Sequence, residues 1–427
     1  MRRNRILTLA LLLSFGCALV SAQQFTDHFA LKDGETVVFY GDSITEQKLY
    51  TTDIELYTLT RFPARDVHFI NSGVGGDKVS GGWAGPIDLR LRRDVYEHHP
   101  NVVTIMLGMN DGYYRPMDDG ILSTYSDGYR HMVEQIQSKL PAVRLTLIKP
   151  SPFDDITRKP QWEPGYNTIM VKMGDFITQL AEEKHAQVVD MNTPVADALT
   201  KAKALDAVMA TTLVNDRVHP GAGVHWLMAE AVLKGWDAPS LVTAVTIDAA
   251  KTSGVDSVNT DVTLLKRSKA GVITWTQNDR ALPLPFPAAE VDPFLAVVRK
   301  VSDLDQALNQ QPLRVTGLAA NNYQLLIDDR PIGKFTAQQL AAGVNLALLE
   351  TPMLAQSRLV AFDADKKNGI EWMFFTAQND VRDEDAQATV KKLADALAQA
   401  FARMHQDAQP VPHRFAIQPE PAAPVTK

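Results

Sequence analysis

The chain has 427 residues, which is long for one domain, and 45% of them are hydrophobic, a share that is ample for buried cores. Its formal net charge is −7 and it has no basic tract, so we expect no nucleic-acid partner. Its single cysteine, Cys17, lies near the start of the chain, so we expect the fold that follows to rely on no disulfide.

Residues 1–22 have the organisation of a secretory signal peptide. A basic start precedes an apolar run over residues 6–20, and small residues end at Ala22, the predicted cleavage site. We therefore predict a secreted protein, periplasmic or extracellular, with a lipid anchor at Cys17 as the alternative. No later run reaches the ~20 apolar residues that a membrane-spanning helix needs, so we expect no transmembrane segment.

Residues 23–238 alternate short apolar strands with helices. The predicted strands cover residues 36–40, 67–70, 102–107, 145–148 and 186–190. The predicted helices cover residues 87–96, 123–139, 166–183 and 220–234. Because the strands show little alternation, they fit a parallel sheet that is buried on both faces. The pattern therefore predicts a doubly wound α/β domain with three layers.

The pattern changes after residue 238. Short alternating strands are predicted over residues 242–247, 257–267, 271–278, 313–317, 323–327 and 331–335. A helix is predicted over residues 293–309, with Asp292 as its N-cap and Pro293 in its first turn. We interpret residues 239–365 as a β-rich accessory domain.

The end of the chain is predicted to be helical and then disordered. Residues 366–408 form the predicted C-terminal helical segment, in which residues 383–406 have the apolar spacing of an amphipathic helix. Residues 409–427 contain five prolines and predict a disordered tail.

Four short blocks rich in glycine and polar residues follow this framework in a fixed order. Gly41-Asp42-Ser43-Ile44 follows the first strand, and Asn71-Ser72-Gly73-Val74-Gly75-Gly76-Asp77 follows the second. Gly108-Met109-Asn110-Asp111 follows the third strand, and Asp216-Arg217-Val218-His219-Pro220 comes before the last helix of the domain. Open α/β sheets place their sites at the carboxyl ends of strands, so these blocks predict one site.

This ordered set resembles the SGNH hydrolase superfamily, the GDSL-type esterases and lipases, over roughly residues 30–235. The resemblance implies a flavodoxin-like α/β/α fold and a catalytic triad. Within that triad, Ser43 matches the nucleophile, and Asp216 and His219 match the other two members.

The resemblance also implies an oxyanion hole. Its donors are the backbone N–H groups of Ser43 and Gly76 and the side-chain amide of Asn110. Gly73 and Gly75 crowd the same loop as Gly76, so the choice among the three glycines stays open, with Gly76 preferred because an aspartate follows it.

The chemistry of ester cleavage requires these residue types. A serine hydroxyl is a weak nucleophile until a base accepts its proton, and histidine is the natural base near neutral pH. Asp216 lies three residues before His219, so one tight loop can bring its carboxylate to the imidazole and orient it. Pro220 suits the first turn of a helix, which places His219 at a loop-to-helix junction.

Each block also has a plain structural interpretation. Ser43 fits a helix N-cap, Asn110 a turn residue after a strand, and Asp216 a cap of the segment that follows it in an ordinary loop. His98 and His99 end a charged helical stretch, and we expect them on a solvated surface rather than on a metal.

Three further groups of residues near the blocks are interpreted in the same way. Arg90, Arg92 and Arg93 are predicted to lie on an exposed helix face, and His225 is predicted to pack within an apolar helix. Four aromatic residues near the blocks either line a pocket for an acyl group or a sugar, or are structural: Trp83, Tyr113, Tyr114 and Trp162.

The sequence as a whole predicts a secreted serine esterase that cleaves carboxylic esters through an acyl-enzyme. A small-molecule or polysaccharide ester is the expected substrate. Acetyl on carbohydrate is preferred, because no long apolar lid segment lies near the four blocks. A lipase or arylesterase is one alternative, and a non-catalytic carbohydrate-binding protein on the same fold is another. No His/Asp/Glu cluster has ligand spacing, so we expect neither a metal nor another cofactor.

Overall fold

The computed structural model describes residues 27–252, 254–379 and 384–420. The predicted signal peptide, with Cys17, therefore lies outside the described residues. Within these ranges, no helix is long and apolar enough to cross a bilayer.

A parallel five-stranded sheet forms the centre of the first half of the chain. Its strands are β1 (Thr36–Gly41), β2 (His68–Gly73), β5 (Val102–Met106), β6 (Arg144–Lys149) and β7 (Gln187–Asp190), and a short antiparallel pair, β3 (Gly81–Gly82) and β4 (Gly85–Pro86), lies outside it. The strand order is β2-β1-β5-β6-β7, with every neighbour parallel. This is the flavodoxin-like order, so the predicted fold class is confirmed.

Helices flank this sheet. They are α1 (Ser43–Glu46), α2 (Leu49–Arg61), α3 (Ile87–Asp94), α4 (Asp119–Lys139), α5 (Asn167–Lys184), α6 (Asn192–Leu205), α7 (Ala207–Thr212) and α8 (Ala222–Gly235). The side chains of residues 37–40 in β1 are fully buried, as expected for a central strand covered on both faces. The chain reverses its direction across the sheet at β1, so the carboxyl end of β1 is the switch point where such folds place their sites.

The second half of the chain begins with two mainly antiparallel sheets. Their strands are β8 (Ala244–Asp248), β9 (Val255–Val258), β10 (Thr260–Arg267), β11 (Ile273–Asp279), β12 (Pro312–Thr316), β13 (Asn322–Ile327), β14 (Arg330–Thr336), β15 (Val344–Asn345) and β16 (His413–Pro419). The orders are β10-β11-β16-β13-β14 and β15-β12-β8-β9. Trp275 and Phe415 stack at 5.1 Å in the core that these sheets enclose. The β-rich character predicted for this region is confirmed.

The helix predicted over residues 293–309 is divided in two and packs on the first half of the chain. It forms α9 (Pro293–Val301) and α10 (Leu304–Leu308), whose buried leucines and valines join the core of the parallel sheet. Asp292 Oδ1 accepts the Leu295 N–H at 2.8 Å, so Asp292 is the N-cap as predicted. A Cβ on Gly223 of α8 would lie 2.8 Å from Leu295 N, so glycine permits the close approach of α8 and α9. The predicted boundary at residue 238 therefore does not separate the two cores.

Two long helices follow a short helix, α11 (Ala337–Ala342): α12 (Pro352–Asn379) and α13 (Glu384–Asp407). The prediction placed a helix over residues 383–406, and α13 matches it. Residues 366–379 of α12 lie in the predicted helical segment, whereas residues 352–365 lie in the region predicted to be β-rich and are helical instead. The apolar residues of α12 do not keep to one face, because it packs against both α2 and α13, and this is why its pattern gave no clear amphipathic signal.

The predicted disordered tail is partly wrong, because residues 413–419 form β16. This strand is the central strand of the five-stranded antiparallel sheet, where it pairs with both β11 and β13. Its alternate side chains His413, Phe415 and Ile417 are buried. Pro410 and Pro412 precede the strand and Pro419 is its last residue, so these three prolines do not interrupt the ladder. Residues 421–427 lie outside the described residues.

Charged residues join α12 to the first half of the chain. Lys367 Nζ lies 2.8 and 2.7 Å from the two carboxylate oxygens of Glu55 on α2, and both side chains are almost completely buried. Lys48, which caps α2, pairs with Glu371 at 2.8 Å. The C-terminal helices are therefore fixed to the helix that follows the Ser43 turn.

Candidate active site

Ser43 stands at the sharp turn between β1 and α1. Asp42 caps the helix, because its Oδ1 accepts the Ile44 N–H at 3.0 Å, so the interpretation of Ser43 as the N-cap is wrong. A Cβ on Gly41 would collide with the Thr45 side chain, so the turn requires glycine there. The tight turn brings Ser43 to the carboxyl end of the sheet.

A continuous chain of hydrogen bonds joins Ser43, His219 and Asp216. His219 Nε2 lies 2.8 Å from Ser43 Oγ, and His219 Nδ1 lies 2.6 Å from Asp216 Oδ2. Since an ionised carboxylate only accepts, Nδ1 carries the ring proton, and the neutral ring presents Nε2 as an acceptor for the serine hydroxyl. The structure thus brings together three residues that the sequence predicted as a triad.

Asp216 also shapes the loop that carries His219. Its Oδ1 accepts the N–H of Val218 at 2.9 Å and that of His219 at 2.8 Å, while its Oδ2 holds the imidazole. Partial burial opposes ionisation, but the hydrogen bonds from His219 and Val218 outweigh it and lower the pKa of Asp216 below its ordinary value. The carboxylate is therefore held in the charged form that orients the ring.

Arg217 anchors the loop that carries His219 to residues 154–159. Its guanidinium donates to the carbonyl oxygens of Asp154 at 3.1 Å and Lys159 at 3.0 Å, and to Asp155 Oδ1 at 3.2 Å. Its backbone is left-handed, with φ +71°, which is unfavourable for a residue with a Cβ. The side-chain contacts hold the backbone in this conformation.

The end of this block differs from the prediction. Helix α8 begins at Ala222 with Gly221 as its N-cap, so Pro220 precedes the helix and does not lie in its first turn. His219 therefore lies on a loop before the helix, and the position of its ring depends on Asp216 rather than on α8.

Asn110 follows β5 and has a fixed side-chain amide. Its Nδ2 donates to the Asp77 carbonyl at 3.1 Å, and its Oδ1 accepts the Tyr114 hydroxyl at 3.0 Å. One N–H of the amide is used by Asp77, so the other is left for a ligand. Contacts at both ends set which way the amide points.

The three candidate glycines have different surroundings. A Cβ on Gly73 would collide with the backbone nitrogen of Glu46, so this glycine allows β2 to pack on α1. A Cβ on Gly75 would lie 2.9 Å from Glu46 Oε2 and 3.9 Å from Ser43 Cβ. Gly76 has φ +75° and open space around its Cα, which leaves its backbone accessible.

A buried ion pair lies beneath this loop and corrects one prediction. Arg90 is completely buried, not exposed, and its Nε donates to Asp77 Oδ2 at 3.0 Å. It also contacts Asp94 and the Ser72 carbonyl, and the Tyr40 hydroxyl donates to the same Asp77 oxygen at 3.2 Å. The arginine is buried because it neutralises carboxylates that the loop places in the core. Arg92 is exposed and Arg93 is half-buried.

Two more buried carboxylates, Asp42 and Asp111, flank Asp77. Burial, together with the negative charges of neighbouring aspartates, raises the pKa of each to about 7. Asp42 Oδ1 accepts the Ile44 N–H, and Asp111 Oδ1 accepts the Val79 N–H at 3.0 Å. The turns that carry Ser43 and Asn110 are thus supported by carboxyl groups that titrate near neutral pH.

Exposed aromatic side chains surround the site. The exposed fraction is 77% for Trp83, 55% for Tyr113 and 40% for Tyr114. The Trp83 indole N–H donates to the Gly75 carbonyl at 2.8 Å, which fixes the ring beside the glycine loop. Trp162 is half-buried and packs edge-on against Tyr166, so it has a structural role.

The remaining histidine candidates lie apart from this chemistry. His98 and His99 are exposed, as predicted. His225 is fully buried, where its Nδ1 accepts the Tyr50 N–H at 3.2 Å, and burial lowers its pKa to about 3. In the part of the chain that the structure describes, no group of three His, Cys, Asp or Glu side chains is arranged to hold a metal ion.

The strand order, with Ser43 at its switch point, defines the class of the fold as that of the SGNH α/β hydrolases. Residues 39–227 match the model of the GDSL-like Lipase/Acylhydrolase family, and this part of the chain carries every site residue described above. Residues 39–227 therefore form a GDSL-like lipase/acylhydrolase domain, and the protein is a carboxylic ester hydrolase.

Two known proteins show how far the likeness extends. An acetylxylan esterase of Geobacillus stearothermophilus is 24% identical over 219 residues, which are 47% of this chain and 93% of that enzyme. The structure of a gut microbial diltiazem-metabolizing enzyme covers 92% of this chain and 100% of its own, with a TM-score of 0.80 and 23% identity. The β-rich region and the C-terminal helices are thus part of the fold that this chain shares with the diltiazem-metabolizing enzyme.

Two features of the site were not found from the sequence. The anchoring role of Arg217 depends on residues 154–159, which follow β6 and contain no recognisable block. The sequence allows Tyr114 to be either a pocket residue or a structural one, and no local pattern indicates that its hydroxyl reaches Asn110. The only sign in the sequence is that Tyr114 lies four residues after Asn110 on the same loop.

Proposed function

We propose that the protein is a secreted serine esterase that removes short acyl groups, with acetyl esters of carbohydrate as its natural substrate class. The observation that carries this proposal is the unbroken hydrogen-bond chain from Ser43 Oγ through His219 to Asp216. The match of residues 39–227 to the family supports ester hydrolysis, and the geometry supports a particular set of residues for it.

The acylation step follows from the positions of these atoms. Ser43 Oγ attacks the ester carbonyl carbon while its proton passes to His219 Nε2. Asp216, held in its ionised form, stabilises the imidazolium that results. The tetrahedral intermediate then collapses, the bond to the alcohol oxygen breaks, and that oxygen takes the proton from Nε2.

Deacylation repeats the same steps with water. A water molecule gives a proton to His219 Nε2 and attacks the acyl carbon, and the bond to Ser43 Oγ breaks as Oγ regains a proton. The acid leaves and the serine is restored. We expect neither step to need a cofactor.

The negative oxygen of each intermediate requires donors that are already in place. Ser43 N–H, Gly76 N–H and the free N–H of Asn110 Nδ2 are the proposed set. Gly76 is favoured over its neighbours because its surroundings are open, whereas Gly73 and Gly75 are glycines for steric reasons. One such donor typically stabilises the transition state by ~3–4 kcal/mol.

Two observations favour carbohydrate-linked acetyl groups. Trp83 and Tyr113 are exposed beside the donor loops, and flat aromatic faces suit the apolar faces of sugar rings. The curated relative that covers the hydrolase domain is named as an acetylxylan esterase. Secretion is proposed from the basic and apolar character of residues 1–22.

The chain-length preference for p-nitrophenyl esters, from acetate to palmitate, tests this proposal, with Ser43→Ala as the control. We expect a Ser43-dependent rate that is highest for acetate, followed by release of acetate from acetylated xylooligosaccharides. A maximum at long chains would indicate a lipase. Turnover that persists in Ser43→Ala would contradict the proposed nucleophile.

A further inference from the structure

Tyr114 makes a contact that the proposed reaction leaves unexplained. It lies four residues after Asn110 on the loop that follows β5, and its hydroxyl donates to Asn110 Oδ1 at 3.0 Å. The partial burial of Tyr114, together with the nearby carboxylates of Asp42 and Asp216, raises its pKa to about 12. The hydroxyl therefore keeps its proton at neutral pH and acts as a donor.

The surroundings of Tyr114 fix its ring. It stacks on Tyr166 with ring centroids 5.1 Å apart and lies 6.2 Å from the Phe153 ring. Tyr166 is itself held by a 2.6 Å hydrogen bond to the carbonyl of Met109, the residue before Asn110. The ring and the amide it contacts are thus anchored to the same short segment of chain.

The backbone at this point is unusual. Tyr113 and Tyr114 both have φ +53°, the left-handed region that costs a residue with a Cβ about 1–2 kcal/mol. Two successive residues in this conformation turn the chain so that the Tyr114 hydroxyl meets the Asn110 side chain. Such conformations persist only where other contacts determine them.

The contact matters because an asparagine amide has two ends of opposite polarity. If the amide rotated by half a turn, Oδ1 would replace Nδ2, and an acceptor would face the developing negative oxygen. The Asp77 carbonyl accepts from Nδ2 and the Tyr114 hydroxyl donates to Oδ1, so both ends favour the same orientation.

We propose that Tyr114 is a positioning residue of the oxyanion hole, which holds the Asn110 amide with its donor end toward the reacting carbonyl. This inference rests on the proposed function, because it assigns a role to Asn110 in the same site. Tyr114 itself does not contact the reacting atoms in this account and acts through Asn110.

The Tyr114→Phe variant tests this role, because phenylalanine keeps the stacked ring and removes only the hydroxyl. For p-nitrophenyl acetate we expect kcat to fall roughly tenfold, the effect of about one lost hydrogen bond, with KM within about twofold of the wild type. Tyr96→Phe is the matched control, since Tyr96 is half-buried in the segment before β5, at the opposite end of that strand from Asn110. We expect this control to keep wild-type kcat.

A double-mutant cycle separates positioning from other effects. In an Asn110→Ala background, Tyr114→Phe should change kcat by less than about twofold, because the amide it positions is absent. A tenfold loss in both backgrounds would overturn the inference, as would a rise in KM at unchanged kcat, which would mark a direct substrate contact.

A second measurement does not depend on turnover. In protein labelled with ¹⁵N-asparagine, the side-chain NH₂ signal of Asn110 is identified by its absence in Asn110→Ala. We expect this signal to move in Tyr114→Phe and to stay in place in Tyr96→Phe. An unchanged signal in Tyr114→Phe would overturn the inference.

These results distinguish the failure of this inference from the failure of the proposed function. If Ser43→Ala and Asn110→Ala lose activity while Tyr114→Phe keeps it, only the positioning role fails. If Ser43→Ala keeps wild-type turnover, the proposed function itself fails.

Discussion

Asp216 uses its two carboxylate oxygens for different purposes. Oδ1 closes the loop on two backbone N–H groups, and Oδ2 orients the His219 ring. One residue therefore determines both where the base lies and which of its nitrogens carries the proton. Asn110 likewise uses both ends of its side-chain amide. Its Nδ2 donates to the Asp77 carbonyl, and its Oδ1 accepts the Tyr114 hydroxyl.

Replacement of Asn110 by alanine tests the proposed oxyanion donor. We expect kcat to fall by about 10²–10³ and KM to change little, because the lost hydrogen bond strengthens only in the transition state. Steady-state kinetics with p-nitrophenyl acetate measures both. Asn101→Ala is the control, since Asn101 accepts the Thr36 N–H at the opposite end of β1. A loss confined to KM would argue for simple binding.

Arg217 allows backbone strain to be separated from side-chain anchoring. Both Arg217→Ala and Arg217→Gly lose the guanidinium contacts, but only glycine adopts φ +71° without cost. We expect Arg217→Gly to be more stable than Arg217→Ala by about 1 kcal/mol in urea unfolding. Equal stability of the two variants would show that the left-handed conformation carries no strain.

At the scale of the elements, the carboxyl ends of β1, β2 and β5 bring three of the four blocks together. This was predictable because buried parallel strands appear as short apolar runs, and the blocks directly follow them. The burial of Arg90 was not predictable from the sequence. Its partners Asp77 and Asp94 lie before and after it in the chain, and all three side chains meet only in the folded protein.

Strand β16 was not predicted because it lies near the end of the chain, far in sequence from the strands with which it pairs. A strand that completes a sheet after two long helices pairs only with distant residues, so no local pattern identifies its partners. The first half of α12, residues 352–365, was not predicted for a related reason, since the buried side chains of this helix face two different helices.

Truncation tests the importance of β16. Removal of residues 412–427 should unfold the β-rich region, because the central strand of its larger sheet is lost. We expect rapid proteolysis of this region and a lower melting temperature. Removal of residues 421–427 alone leaves β16 in place and is the matched control. Equal protease resistance of the two truncated proteins would contradict the central position of this strand.

At the scale of the whole molecule, α2 links the site to the rest of the chain. It follows α1, the short helix that begins at Ser43. Helices α12 and α13 cover the outer side of α2 through apolar contacts and the buried pair of Glu55 and Lys367. The second half of the chain is therefore part of the framework that holds the site.

The buried carboxylates under the site predict how stability depends on pH. Burial raises the pKa of Asp42 and Asp111 to about 7, so the native state holds protons that the unfolded chain releases near pH 4. The contribution of these two carboxyl groups to the free energy of unfolding is fully present at low pH. It is lost as pH rises through about 7.

The Asp111→Asn variant tests this prediction. We expect the decline in unfolding free energy between about pH 4 and pH 7 to be shallower in this variant than in the wild type. Urea unfolding across that range measures it, with Asp256→Asn, an exposed position on β9, as the control. Identical slopes for Asp111→Asn and the wild type would show that Asp111 does not titrate in this range.

Labelling with a fluorophosphonate tests the central claim most directly, because this reagent forms a stable adduct only with an activated serine. We expect one adduct per chain, mapped to Ser43 by peptide mass spectrometry, with esterase activity lost in proportion to labelling. His219→Ala should label far more slowly. An adduct on another residue, or full activity in fully labelled protein, would contradict the account.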